Sequence, residues 1–262
     1  MSKRTWTTLG AVASLIMTFG CGGGGGDGKT PPAGGESQSA APEAATGTFG
    51  TATIRGRATL DGAAPAASSI KMDADPYCSL QHPQGAQQAA FVADAGGGLK
   101  WVFVYVKEGI GSTYSPPADA VTIDQKGCIY SPHVLGIMPG QTLKILNSDE
   151  TLHNIHGLPK NSRPFNLAMP TAGMELTQKF TSPEVMVRVK CDVHPWMEAW
   201  AGVVPHPFHA VSADDGSFSL DRLPAGTYTI EAWHEKGGAQ AQSVTVADGE
   251  TKEIVFAFKA TA

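Results

Sequence analysis

Apolar residues recur along most of this chain in short alternating runs, not in long helical stripes. Such runs cover 51–60, 99–107, 120–123, 142–146, 185–191, 217–220, 227–233, 242–246 and 253–258. Period-two alternation sends successive side chains to opposite faces of a strand, so each run is expected to be a β-strand. Turn-forming clusters separate them, among them Gly96-Gly97-Gly98, Pro116-Pro117, Pro139-Gly140, Asp214-Asp215-Gly216, Pro224-Ala225-Gly226 and Asp248-Gly249. Many short strands at this spacing predict an all-β protein built from β-sandwiches. No internal repeat is evident.

The first 48 residues have a different pattern. Residues 1–21 open with Lys3 and Arg4, continue through a largely apolar stretch at 9–19, and end Thr18-Phe19-Gly20-Cys21. The apolar part is short for a membrane span and has the layout of a signal segment. Its end resembles a lipobox, which implies a lipidated Cys21; Thr18 departs from that pattern, which usually has Leu there, and ordinary secretion is the alternative. Gly22 follows in place of an aspartate, which fits passage to an outer membrane. Residues 22–48 are rich in Gly, Pro and Ala and hold no large apolar side chain before Phe49. Such a segment cannot bury enough surface to offset its ordering entropy, and reads as a flexible tether of roughly 30 Å average reach. The expected location is therefore exported and lipid-anchored, at the outer membrane facing the periplasm or at the cell surface, with the membrane met through the anchor only.

Without the signal, Lys3 and Arg4 are lost and 19 basic residues become 17 against 24 acidic ones, a net of −7. An acidic chain is a poor partner for nucleic acid. About 214 residues remain beyond the tether, in three blocks: 49–117, a histidine- and cysteine-bearing block at 118–204, and a compact meander at 205–262. They carry three cysteines, Cys78, Cys128 and Cys191.

The candidate chemistry lies in Cys191-Asp192-Val193-His194-Pro195-Trp196-Met197, where an apolar run gives way to a loop. Three potential ligands within seven residues can converge on one ion if that loop turns tightly. Leu152-His153-Asn154-Ile155-His156, 38 residues upstream, offers a fourth. Thioether is a poor ligand for zinc, whereas one thiolate, two imidazoles and a thioether suit a blue-copper electron-transfer site. His156 and Glu198 are alternatives as the upstream imidazole and as a harder axial ligand.

At these residues the chain resembles a cupredoxin over roughly 119–204: Val121-Thr122-Ile123, Tyr130-Ser131-Pro132, Gly140-Gln141-Thr142-Leu143-Lys144-Ile145, Asn147-Ser148-Asp149 and His153-Asn154 precede the Cys-x-x-His-x-x-Met loop. The short loop is most similar to that of amicyanins; plastocyanins have a longer interval between the last two ligands. The resemblance implies a Greek-key β-sandwich holding one copper ion, with His153, Cys191 and His194 as equatorial ligands and Met197 as the axial one. It implies that Asn154 ties the two ligand segments together, and that His194 reaches the surface within an apolar patch. Pro195 and Trp196 would then form the electron exit and docking surface for a redox protein donor or acceptor; Trp196 packed over the copper site as a hydrophobic lid is the alternative.

With Cys191 given to the metal and the chain exported, Cys78 and Cys128 are left to form a disulfide; two buried thiols are the alternative. Residues 211–258 resemble the carboxypeptidase regulatory-like module, a transthyretin-like β-sandwich, through Asp215-Gly216-Ser217-Phe218, Leu223-Pro224-Ala225-Gly226-Thr227-Tyr228 and Val244-Thr245-Val246. Residues 52–63 read like its opening. The blocks 49–117 and 205–262 thus form either one discontinuous sandwich with the copper domain inserted, or parts of a linear pair of domains. His133, His206 and His209 are candidates for a second metal site. The expected function is exported electron transfer with no enzymatic activity; copper delivery and a structural lipoprotein with a metal-free cupredoxin-like fold are the alternatives.

Overall fold

The computed structural model describes residues 46–88 and 91–260. The signal segment with Cys21, and the tether up to residue 45, lie outside them. The last tether residues are already engaged: Thr46 bridges Thr113, and the Gly47 amide donates to the Thr113 carbonyl at 2.6 Å.

In chain order the strands are β1 (Ala52–Asp61), then an excursion of β2 (Ser68–Ile70), helix α1 (Pro76–Gln81) and β3 (Ala86–Gln88), then β4 (Phe103–Glu108). Nine strands follow: β5 (Val121–Gln125), β6 (Tyr130–Ser131), β7 (Val134–Ile137), β8 (Leu143–Asn147), β9 (His153–Gly157), β10 (Phe165–Met169), β11 (Met174–Gln178), β12 (Glu184–Lys190) and β13 (Glu198–Val203). The chain closes with β14 (His209–Val211), β15 (Ser217–Leu223), β16 (Gly226–His234), β17 (Gly238–Val246) and β18 (Thr251–Lys259). The protein is nearly all β, as its alternation predicts.

Two sandwiches result. The outer one sets the sheet β15-β1-β18 against β14-β4-β16-β17. In the first of these sheets β1 runs antiparallel to β15 and parallel to β18. Ile54, Val104, Phe218, Ile230, Phe256 and Phe258 fill the core between them. The inner sandwich sets β10-β9-β12-β13-β7 against β11-β8-β5-β6, all from residues 121–203. Its core holds Ile123, Leu143, Ile145, Ile155, Phe180, Val187 and Val189. In β8 strict alternation buries Leu143, Ile145 and Asn147 while Lys144 and Leu146 face outward. Burial of each such aliphatic side chain contributes about 1.5–3 kcal/mol.

The excursion behaves differently from the strands that flank it. Although it lies within the first block, its buried residues Met72, Cys78 and Ala86 join the inner core. Asp75 caps α1: its carboxylate accepts from the amides of Tyr77 and Cys78, and Pro76 fills the first turn, where no amide is needed. A Cys78–Cys128 disulfide, with Cα atoms 5.6 Å apart, fastens the helix to the inner sandwich.

Candidate metal centre

β9 and β12 are antiparallel neighbours, with Lys190 opposite His156. This register brings His153 and Asn154, at the start of β9, beside the loop that leaves β12 at Cys191. The loop closes on itself: the Met197 amide donates to the His194 carbonyl at 2.9 Å, and the Cys191 amide to the Met197 carbonyl at 3.1 Å. The His194 amide points at Cys191 Sγ, 3.3 Å away. Asn154 clamps the loop from the neighbouring strand, its Oδ1 accepting from the amides of Asp192 at 2.7 Å and Val193 at 3.3 Å.

Within this frame His153, Cys191 and His194 are all buried, and their ligand atoms lie within 4.8 Å of one another. His153 Nδ1 sits 2.9 Å from His194 Nδ1, which is 3.9 Å from Cys191 Sγ. The outer nitrogens face carboxylates: His153 Nε2 is 2.9 Å from Asp149 Oδ2, and His194 Nε2 is 3.0 Å from Asp75 Oδ2. A carboxylate holds the proton of a facing imidazole on the outer nitrogen and turns the other lone pair inward, as metal-binding histidines require. Two such lone pairs repel at 2.9 Å unless a proton or a metal ion lies between them. The donor set therefore fits a small soft cation held by these three residues. Met197, also buried, packs in the same core.

In the metal-free chain a proton occupies this cluster, and the sulfur carries the negative charge. Burial opposes a thiolate at Cys191, but His153, His194 and the backbone amides of Asn154 and His194 outweigh it and draw the thiol down to about 6. Burial likewise opposes a charge on His153, yet its contacts with Asp149 and Cys191 raise it to about 9. Asp149 is held below the usual carboxylate range despite burial, by His153 and by the amides of Cys128 and Gly127. Those two amides donate to its two oxygens at 2.8 Å each. Left-handed backbone at Gly127 and Cys128, with φ of 63° and 56°, turns both N–H groups to one side as an anion-binding nest.

Neither Asp75 nor Asp149 is among the site residues expected from the sequence. Asp149 stands four residues before His153, and that spacing was the available signal. Asp75 is 119 residues from His194, and no local pattern links them. His156 pairs with Asp192 at 2.9 Å, away from the cluster, and Glu198 pairs with Arg188.

The expected surface position of His194 is corrected here. Its side chain is only 2% exposed, because α1 and Asp75 cover the edge that the resemblance leaves open. Pro195 is exposed, but Trp196 is half-buried, its ring 5.0 Å from that of His194 and its indole N–H donating to the Cys128 carbonyl at 2.9 Å. Trp196 thus belongs to the packing around the centre, not to an open docking face. His133, His206 and His209 do not converge on one point among the described residues. His133 joins the Glu198 carbonyl and Glu235, His206 Nε2 meets the Val106 carbonyl, and His209 packs on Phe103.

The chain matches no protein-family model and no curated protein. Solved structures similar to part of it include cupredoxins and a copper-containing nitrite reductase. A purple cupredoxin from Nitrosopumilus maritimus is 26% identical over 33% of this chain and all of its own, with a TM-score of 0.28. A copper-containing nitrite reductase from Thermus scotoductus is 23% identical over 38% of this chain and 25% of its own, with a TM-score of 0.30. An amicyanin variant is 20% identical over 38% of this chain and 98% of its own, with a TM-score of 0.29.

Proposed function

We propose that this chain is an exported one-electron carrier with a single mononuclear copper site, His153, Cys191 and His194 supplying the strong ligands and Met197 a weak axial one. The observation that carries the reading is the 2.9 Å approach of two inward ring nitrogens beside a buried thiol, each imidazole held from outside by a carboxylate. Copper, when bound, supplies a reversible one-electron couple. The chain's residues hold the ligands in place: Asn154 ties the loop to β9, Asp149 and Asp75 fix the ring tautomers, and α1 with Trp196 keeps water from the centre. The outer sandwich serves as a support, and the tether and lipid anchor would hold both lobes near a membrane.

The test is titration of metal-free protein with Cu(II) while the visible spectrum is recorded. One equivalent should give an intense thiolate-to-copper band, and Cys191→Ser should abolish it because a hydroxyl cannot replace the soft ligand. A wild-type protein that is fully loaded and colourless refutes the proposal.

A further inference from the structure

Met197 and Trp196 also border a second space. There a cavity of about 270 Å³ opens between the two sandwiches, bounded by Met197 and Trp196 on one side and by Trp101, His133 and Glu235 on the other. We propose that this cavity binds one single-ring aromatic molecule bearing a hydroxyl group, a phenol or hydroquinone.

Three features select that class. First, shape and polarity: the aromatic residues Trp101, Trp196 and Tyr130 line the cavity, with Lys100 Nζ lying 4.3 Å over the Trp101 ring, and Val92 and Ile129, 41% and 44% exposed, line it at the surface. A cavity of about 150 Å³ already accommodates benzene, so one substituted ring fits. Second, a placed acceptor: the Glu235 side chain is 9% exposed, with Oε1 3.1 Å from His133 Nε2 and Oε2 receiving the Trp200 indole N–H at 3.0 Å. Each oxygen keeps a second lone pair for a ligand hydroxyl. Third, charge: Glu198 is already paired with Arg188, and the two oxygens of Glu235 face His133 Nε2 and the Trp200 indole N–H. An anion would meet two carboxylates. A hydrogen-bond donor without negative charge is what the site accepts.

The backbone supports a built site. Trp101 adopts φ 67°, a left-handed conformation that a bulky side chain rarely occupies and that tends to persist at ligand clamps. Its ring lies edge-on to His133, with centroids 6.1 Å apart, so the strained residue and the acceptor pair face one space.

Binding does not depend on copper, so the experiment uses the full metal-free protein and separates this inference from the copper reading. Hydroquinone and 1,4-dimethoxybenzene are titrated by calorimetry with tryptophan fluorescence in parallel. Hydroquinone should bind saturably at one per chain and at least tenfold more tightly than the ether, which has no hydroxyl to donate. Glu235→Gln should weaken hydroquinone about tenfold or more and leave the ether unchanged, as loss of a hydrogen bond to a charged acceptor implies. Ile129→Trp, at an exposed position lining the cavity, should block both ligands by filling it. Absence of saturable binding to folded wild-type protein, equal affinity for the two ligands, or undiminished binding by folded Ile129→Trp overturns the proposal.

Discussion

Asp75→Asn isolates one charge at the candidate centre. Asp75 divides its oxygens between two tasks: Oδ1 accepts from the Tyr77 and Cys78 amides at 2.8 and 3.3 Å, and Oδ2 accepts from Thr151 Oγ1 at 2.8 Å and faces His194 Nε2 at 3.0 Å. Asparagine caps helices about as well as aspartate, so α1 should persist. With its one oxygen kept on the cap, its NH₂ group meets the His194 Nε2–H, donor against donor. The ring then favours the other tautomer, whose inward Nδ1 carries the proton and cannot bind a metal. Loss of a hydrogen bond to a charged group is worth about 1.5–3 kcal/mol, and loss of such an outer partner costs roughly 10–100-fold in metal affinity. A Cu(II) competition titration measures the affinity, and thermal melting of the metal-free proteins checks the cap. The expected result is a fall of that size in affinity with metal-free melting temperatures within about 4 °C, the shift that roughly 1 kcal/mol would produce. An affinity within twofold of wild type in a folded variant refutes the tautomer argument.

Other perturbations test other parts of the structure. Replacing Cys78 and Cys128 by Ala removes a cross-link across 50 positions and should cost about 4 kcal/mol in the chain-entropy model, read from urea unfolding; a cost under about 1 kcal/mol would show that the strap does not constrain the unfolded chain. Thiol titration of denatured, unreduced wild-type chain lacking Cys21 should find one reactive thiol, Cys191. Met197→Leu should retain copper within about tenfold in affinity and raise the reduction potential, because the axial bond is weak; voltammetry decides, and loss of copper would make Met197 a primary ligand. Burial keeps His234 at about 4, and its Nδ1 accepts from the Lys236 and Gly237 amides. The unfolded chain takes up that proton near 6.5, so this stability is intact above that pH and falls by about 3 kcal/mol in total as pH drops toward 4. His234→Phe should flatten that part of the pH dependence in urea melts, and an unchanged slope refutes it.

What the sequence made legible was local. The alternation of 142–146 and 253–258 reads as strand because each residue's burial follows from its parity. Strands such as β10, β11 and β13 were not read, because they are five or six residues long and mix Ala, Gly, Glu and Gln with their apolar positions. Cys191 and His194 stand out through their spacing and His153 through its neighbour Asn154, and the structure brings these three together. The partners of these residues were not legible: Asp75 reaches His194 only after the excursion 68–88 folds across the inner sandwich, and nothing at 68–88 announces that crossing. Met72, Cys78 and Ala86 are buried without helical or strand periodicity, and α1 has only six residues. Asp75 and Cys78 of that excursion lie against His194, so its burial is not legible in the loop that carries it.

The topology also sets an order of events along the growing chain. Every hydrogen-bonded neighbour of the inner strands lies within residues 121–203, so that sandwich can close as soon as it emerges. β1 must wait: one of its edges is completed by β18, with Arg55 meeting Glu253 across 198 positions. Contacts so distant in sequence make for slow folding, and until they form β1 carries an unpaired edge that invites pairing with other chains. Ends cut before residue 251 would leave that edge open permanently. The strand made first is thus secured last, and the completeness of the C-terminus governs whether the N-terminal strand is safe from aggregation.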